Sequence, residues 1–165
     1  MKVLIMSDTH GLTKEIDTIK DRHDCDLIIH CGDSELQSNT KVLKDIEVVK
    51  GNCDVGEDFN TEKIIDLNNG VTCLVTHGHL YDVKQSLQKL SYRADELSVN
   101  FCFFGHTHVA GTASINNTFF INPGSLKSPR NSIEKTYAIL ELETTNFNLT
   151  FYNDEGIEVE ENKLQ

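Results

Sequence analysis

The feature that most constrains this chain is a theme repeated five times, in which a short apolar run stops at polar residues beside a glycine. Lys2–Met6 stops at Ser7-Asp8-Thr9-His10-Gly11, and Leu27–Ile29 stops at His30-Cys31-Gly32-Asp33. Ile46–Val49 leads into Gly51-Asn52-Cys53-Asp54, Val71–Val75 into Thr76-His77-Gly78-His79, and Phe101–Phe104 into Gly105-His106-Thr107-His108. Short runs of β-branched and aromatic residues bounded by glycine read as buried strands. Between them, apolar residues at Val83, Leu87, Leu90, Ala94 and Leu97 predict a helix over Val83–Leu97, and Leu12, Ile16 and Ile19 a weaker one near 13–24. The stretch 35–45 is ambiguous. Strands alternating with helices imply a largely parallel α/β arrangement.

The last third changes character. Residues 110–121 read as a hairpin turning at Asn116-Asn117. Thr136–Leu142 and Phe147–Tyr152 read as another, turning near Thr145-Asn146, with Phe147, Leu149 and Phe151 on one face. This part is expected to supply a second sheet, because a lone parallel sheet would leave an apolar face uncovered. The acidic tail from Asp154 to Glu161 reads as a solvated edge, and residues 1–165 as a single domain.

Composition narrows the function classes. The apolar runs fall far short of the ~20 residues that a membrane helix needs. The first of them is also too short for a signal-peptide core and lacks a small-residue cleavage site. The 5 cysteines are odd in number and form no C-x-x-C pair, which points to free thiols in a reducing cytoplasm. A net charge of -11 repels long polyanions, so extended nucleic-acid or anionic-membrane binding is not expected. A small phosphorylated substrate held at a local positive point remains compatible. No heptad or apolar patch marks an interface, which leaves a homo-oligomer open.

All five apolar runs end in residues that can ligate a metal: Asp8 and His10, Asp33, Asn52, His77, then His106 and His108. Sites in open α/β sheets lie beyond the carboxyl ends of the strands, so these donors are expected to converge. In extended chain, residues i and i+2 point the same way, which aims Asp8 with His10, and His106 with His108, at one point. The set exceeds what one tetrahedral ion needs and suits two divalent ions sharing a carboxylate. Imidazole and oxygen donors without thiolates argue against a structural zinc site. They fit manganese first, with iron, zinc, nickel or magnesium as alternatives. Two divalent ions against Asp8, Asp33 and a bridging hydroxide leave about one positive charge, an attractor for phosphate. Two metals ~3.5–4 Å apart can activate a shared water for phosphoester hydrolysis, with a metal-bridging hydroxide as nucleophile.

Asp8-x-His10, Gly32-Asp33, Gly51-Asn52, His77 and Gly105-His106-x-His108, in that order, resemble the signature of the calcineurin-like metallophosphoesterase superfamily. The short length, Gly-Asn-Cys-Asp at 51–54 and Asn122-Pro123-Gly124-Ser125 resemble its small bacterial and archaeal phosphodiesterase family. The resemblance implies a two-sheet α/β sandwich flanked by helices. It also implies that Asp8, His10, Asp33 and His108 hold one ion, and that Asp33, Asn52, His77 and His106 hold the other. Better-known phosphatases of the superfamily follow the motif asparagine with a histidine that protonates the leaving group. Cys53 stands there in this chain, leaving Asp54, His79 or a metal-bound water as stand-ins and favouring esters with good leaving groups. His79 also reads as a group that orients a ligand. Asn122, Ser125 and Arg130, with Lys127, are candidates to contact substrate, and His23 and His30 read as structural. The rival readings are a protein-binding scaffold of the same fold, as in a retromer subunit of the superfamily, and a nuclease.

Overall fold

The computed structural model describes residues 1–56, 58–130, 134–160 and 164. In chain order it contains β1 (Lys2–Met6), α1 (Lys14–Arg22), β2 (Leu27–His30), β3 (Glu47–Val48), β4 (Glu62–Asp66) and β5 (Thr72–Thr76). These are followed by α2 (Gln88–Leu97), β6 (Phe101–Phe103), β7 (Gly111–Ile115), β8 (Thr118–Asn122), β9 (Thr136–Leu142), β10 (Phe147–Asn153) and β11 (Glu158–Val159).

Strands that are apolar on both faces need cover on both. In β1, Val3 and Ile5 enter a core shared by two sheets, while Leu4 and Met6 face Ile16 and Ile19 of α1. The other sheet repeats the pattern, since side chains alternate along a strand. Val75, Phe101 and Phe103 face the shared core, whereas Leu74, Cys102 and Phe120 pack against Leu90 and Ala94 of α2. The layers therefore run helix, sheet, sheet, helix. Leu90 is fully buried, and truncating it to alanine would cost about 2–5 kcal/mol.

The first sheet has the order β11-β10-β9-β1-β2-β3, and the second β4-β5-β6-β8-β7. β1, β2 and β3 are parallel, as are β5, β6 and β8. This is the expected two-sheet sandwich, with the strands allocated differently. The five apolar runs divide between the sheets, and the last third contributes β7 and β8 to one and β9, β10 and β11 to the other. Sequence order does not reveal this sharing, because each late hairpin fits the edge of either sheet.

Three local expectations change or are extended. The helix expected from Val83 begins at Gln88: residues 82–85 form a turn, with Gln85 N–H on Asp82 O (2.8 Å), although Val83 and Leu87 are still buried. β4 was not anticipated. Its Glu-Lys-Ile-Ile-Asp sequence has little alternation, and it pairs only with β5 at the sheet edge. The acidic tail is the solvated edge expected of it but also forms a short strand there, β11, which pairs with Phe151 and Tyr152, and residue 161 lies outside the described residues. The ambiguous stretch 35–45 holds one 3-10 turn, Lys41–Leu43. Among the described residues, no helix is long and apolar enough to cross a membrane.

Candidate metal centre

The loops leaving β1, β2 and β3 meet those leaving β5 and β6. The chain after β1 runs beside the chain after β2, with Asp8 N–H on Gly32 O (3.0 Å) and His10 N–H on Asp33 O (3.0 Å). Gly105 N–H on His77 O (3.2 Å) joins the two loops of the second sheet, and His106 N–H on Asp8 Oδ2 (3.1 Å) ties that sheet to the first. Glycine permits this approach. A Cβ on Gly105 would lie 2.0 Å from Ser7 Oγ, and one on Gly51 would lie 2.1 Å from Asp33 Oδ1.

The donors converge by a route that extended backbone does not describe. Asp8 (φ 53°), His10 (43°), Asp33 (55°), His106 (68°) and His108 (60°) are all left-handed. Asp8 and His10 face one point because each sits in a turn with positive φ, whereas His106 and His108, also left-handed, turn to different groups, His106 to Asp33 and His77 and His108 to Asp8 and His10. This replaces the expected strand alternation. Strain of about 1 kcal/mol per residue is characteristic of functional sites and must be offset by the surrounding structure.

The hydrogen bonds around the site supply that offset. The Ser7 hydroxyl (2.6 Å) and His106 N–H occupy Asp8 Oδ2, which leaves Oδ1 aimed inward. Asp33 Oδ1 accepts Cys53 N–H (2.7 Å), and its Oδ2 lies 3.3 Å from His77 Nε2. His77 Nδ1 donates to Cys31 O (2.7 Å) and His108 Nδ1 to Ser128 O (2.7 Å). Both histidines are thereby held in the tautomer that presents an Nε2 lone pair to the site. His10 Nδ1 meets Glu35 Oε1 at 2.6 Å, and its Nε2 also faces Asp8.

Two groups of donors result, Asp8 with His10 and His108, and Asp33 with His77 and His106. Within each, the ligand atoms lie within 4.8 Å of one another. The chain's own chemistry favours cations here. Among the described residues, only Asp8 Oδ1, His77 Nε2 and His79 Nδ1 are buried side-chain atoms with no hydrogen-bond partner. Two of these three face the site, and such orphans carry a desolvation cost that a bound cation removes. The residues present therefore fit a divalent metal.

The electrostatics agree. Burial opposes ionisation of Asp8 and Asp33, yet the imidazole of His108 beside Asp8 (Nε2 3.1 Å from Oδ1) and that of His77 beside Asp33 hold both carboxyls below the usual range. Burial likewise opposes protonation of His77, but the adjacent carboxylates of Asp33 and Asp8 raise it. The neighbouring Asp8 carboxylate raises His108. Burial pushes His106 down to about 4, helped by the charges of His77 and Lys84.

Several expected roles change. The Asp54 carboxylate is buried and faces the loops: Oδ2 accepts Asp33 N–H and Gly51 N–H (both 2.8 Å), and Oδ1 accepts Glu35 N–H (2.7 Å) and the Ser34 hydroxyl (3.1 Å). It organises the chain around Asp33 and is not positioned as a proton donor to a leaving group. Asn122 is buried and donates to Gly105 O (3.0 Å) and Thr107 Oγ1 (2.9 Å). Ser125 is buried, donates to Asp8 O (2.8 Å) and accepts the N–H groups of Lys127 and Ser128. Neither is free to contact substrate; both brace the loops that carry the donors.

The remaining candidates lie where substrate could meet them or pack within the fold. Arg130 is exposed, with its N–H on His108 O (2.9 Å), and Lys127 is exposed too. Asn52 is exposed, and its amide donates to Cys53 Sγ (3.2 Å). The His79 ring centroid lies 5.4 Å from that of His77 and 6.1 Å from that of His106. His30 bonds Thr9 and Gly32 N–H, and His23 bonds the Tyr137 hydroxyl. Sequence reasoning missed Glu35, which groups with His10 and Cys53. Its i+2 spacing from Asp33 matches that of His10 from Asp8 and could have flagged it.

Comparison with known proteins bears on this geometry. The sequence profile of the calcineurin-like phosphoesterase superfamily domain matches residues 1–145. The chain is 45% identical over 163 residues to the probable metallophosphoesterase YsnB of Bacillus subtilis, covering 98% of this chain and 96% of that one. A conserved protein of Streptococcus pneumoniae, described as a predicted phosphoesterase, superposes with a TM-score of 0.90 at 33% identity, covering 96% of this chain and 92% of that one. Vps29 of Entamoeba histolytica, solved with zinc, shares the fold with a TM-score of 0.78 at 21% identity, covering 93% and 92%.

Proposed function

Because the chain belongs to the calcineurin-like phosphoesterase superfamily, we propose that it is a metal-dependent phosphoesterase acting on small phosphodiesters with two divalent ions. The observation that carries this reading is the pair of donor groups around the buried, unpartnered Asp8 Oδ1 and His77 Nε2. Asp8, His10 and His108 would hold one ion; Asp33, His77 and His106 would hold the second, with Asn52 beside them and Asp33 shared. When bound, the ions supply the charge that activates an attacking water and steadies the phosphoryl oxygens.

The chain's residues set the geometry. The carbonyls of Cys31 and Ser128 fix the rings of His77 and His108, Glu35 fixes His10, and Asp54 fixes the loop that presents Asp33. The leaving-group side falls to His79, since a thiol at Cys53 replaces an imidazole. Esters with good leaving groups are accordingly cleaved best. The site's net charge of about one suits the single negative charge of a diester. Manganese is the first choice of metal. The five cysteines are all free thiols, which supports a cytoplasmic setting.

The direct test is hydrolysis of bis(p-nitrophenyl) phosphate by chelator-treated protein supplied with manganese, then iron, zinc, nickel or magnesium. Activity that requires added metal and falls by at least about a thousandfold in Asp33→Asn supports the reading. Full activity in the presence of excess chelator overturns it.

The likeness to Vps29 keeps one other reading in view, a protein-binding scaffold. The complete donor set weighs against it, because a scaffold gains nothing from burying unpartnered ligand atoms.

A further inference from the structure

Beside the donor groups, on the side of the second sheet, lies a groove of about 250 Å³. Val83, Leu87, Phe104 and Val109 give it an apolar lining. Thr107, between His106 and His108 in the chain, joins it to the metal centre. Lys84, Arg130 and Leu164, whose N–H donates to Thr112 O (2.7 Å), complete its wall.

The two cations are tied to the centre. Arg130 N–H donates to His108 O at 2.9 Å, which fixes its backbone next to a donor. The charge of Lys84 is felt at His106 and that of Arg130 at His108. Among the described residues, ion pairs engage Lys2, Lys63, Lys89, Arg93 and Lys135, and no described carboxylate pairs with Lys84 or Arg130. An exposed lysine or arginine usually only solvates a surface. Here two converge on one groove of a chain with net charge -11, where acidic residues were available to neutralise them. The groove is smaller than the ~300–1,000 Å³ of a pocket for a whole ligand, so it takes one arm of a substrate rather than all of it.

Building on the proposed function, we infer that this groove is a substrate subsite that receives an organic arm with an apolar face and a second anionic group, held by Lys84 and Arg130. The substrate class is then nucleotide-sized phosphodiesters that carry negative charge beyond the scissile phosphate. Apolar walls cover the ring-like part of the arm, and the two cations, exposed at the rim, receive its charge.

The test compares a dinucleoside monophosphate with the same compound bearing a terminal phosphate, using the manganese-loaded protein. The terminal phosphate is expected to lower KM about fivefold, and the double variant Lys84→Ala/Arg130→Ala to bring the KM ratio to about one. Equal KM values in the parent protein, or a ratio that the double variant leaves intact, overturn the inference while leaving the proposed reaction standing. A second arm needs no turnover: calorimetric titration of the metal-free protein with a nucleoside 3′,5′-bisphosphate. If neither dinucleotide is hydrolysed while bis(p-nitrophenyl) phosphate is, the proposed reaction stands, the ribose alkoxide is too poor a leaving group, and the titration decides. Binding by the parent that the double variant loses then still supports the groove, and equal binding, or none, overturns it.

Discussion

His77 Nε2, carried by the second sheet, and Asp8 Oδ1, carried by the first, lie 3.9 Å apart, both buried and both without a hydrogen-bond partner. Each has its other polar atom secured: Nδ1 by Cys31 O, and Oδ2 by Ser7 and His106. The protein has oriented both groups and left the facing atoms open. A cation between the sheets is the simplest way to remove that cost.

Metal should therefore stabilise the fold. Manganese at about a hundred times its Kd is expected to raise the Tm of chelator-treated protein by about 5–10 °C. Asp8→Asn keeps the shape but removes the charge, and should cut the rise to less than half. Differential scanning calorimetry with and without metal checks this, and an undiminished rise in Asp8→Asn would count against Asp8 as a ligand.

Protons and metal compete for the same nitrogens. His77 and His108 are raised above 6.5 in the metal-free fold, so their contribution to its stability is complete below about pH 6.5 and fades as pH rises through their folded values. Metal binding needs the neutral rings and runs the opposite way, weakening as pH falls through those values. As pH rises above 6.5, the Tm of metal-free protein should fall while manganese affinity rises. Parallel melting and titration series would show this opposition, and trends of the same sign would contradict it.

Asp54 accepts four hydrogen bonds around the Asp33 loop, which engage both of its carboxylate oxygens. Asp54→Ala strands three backbone N–H groups and is expected to cost about 3 kcal/mol, or about 6–12 °C in Tm. The pH profile of its remaining activity should keep the parental shape. A lost limb in that profile would instead make Asp54 a proton donor.

Gly105→Ala is a steric test, because no left-handed φ is required there. Its Cβ would meet Ser7 Oγ at 2.0 Å and Asp8 Oδ2 at 2.6 Å, pushing the sheets apart where Asp8 is aimed. Overpacking of this kind costs about 1–3 kcal/mol. Manganese affinity should fall at least about tenfold, since the displaced group is a ligand. Parental affinity in the variant would show that the approach of Gly105 to Asp8 is incidental.

How much was legible in advance depends on which forces act locally. The candidate donors could be read because each follows a strand in a segment that also holds a glycine, and the fold brings six of them, Asp8, His10, Asp33, His77, His106 and His108, into two groups. The backbone that aims them could not, since left-handed turns at Asp8, His10, His106 and His108 are set by hydrogen bonds to distant chain, such as Ser125 to Asp8 O. Asn122 and Ser125 drew attention through their position in a motif, and only the packed structure shows that their polar atoms are already engaged. β4 escaped because its one strand neighbour, β5, provides its pairing, while Ile64 stays exposed. Glu35 escaped because its role is fixed by contact with His10 rather than by a run or a glycine.

The central claim is that loops from two sheets hold a pair of cations in one pocket. Anomalous diffraction from crystals of manganese-soaked protein tests it most directly. The account predicts two peaks ~3.5–4 Å apart, one against Asp8, His10 and His108 and the other against Asp33, His77 and His106. No peak at this pocket, or a single ion bound elsewhere on the molecule, would contradict it.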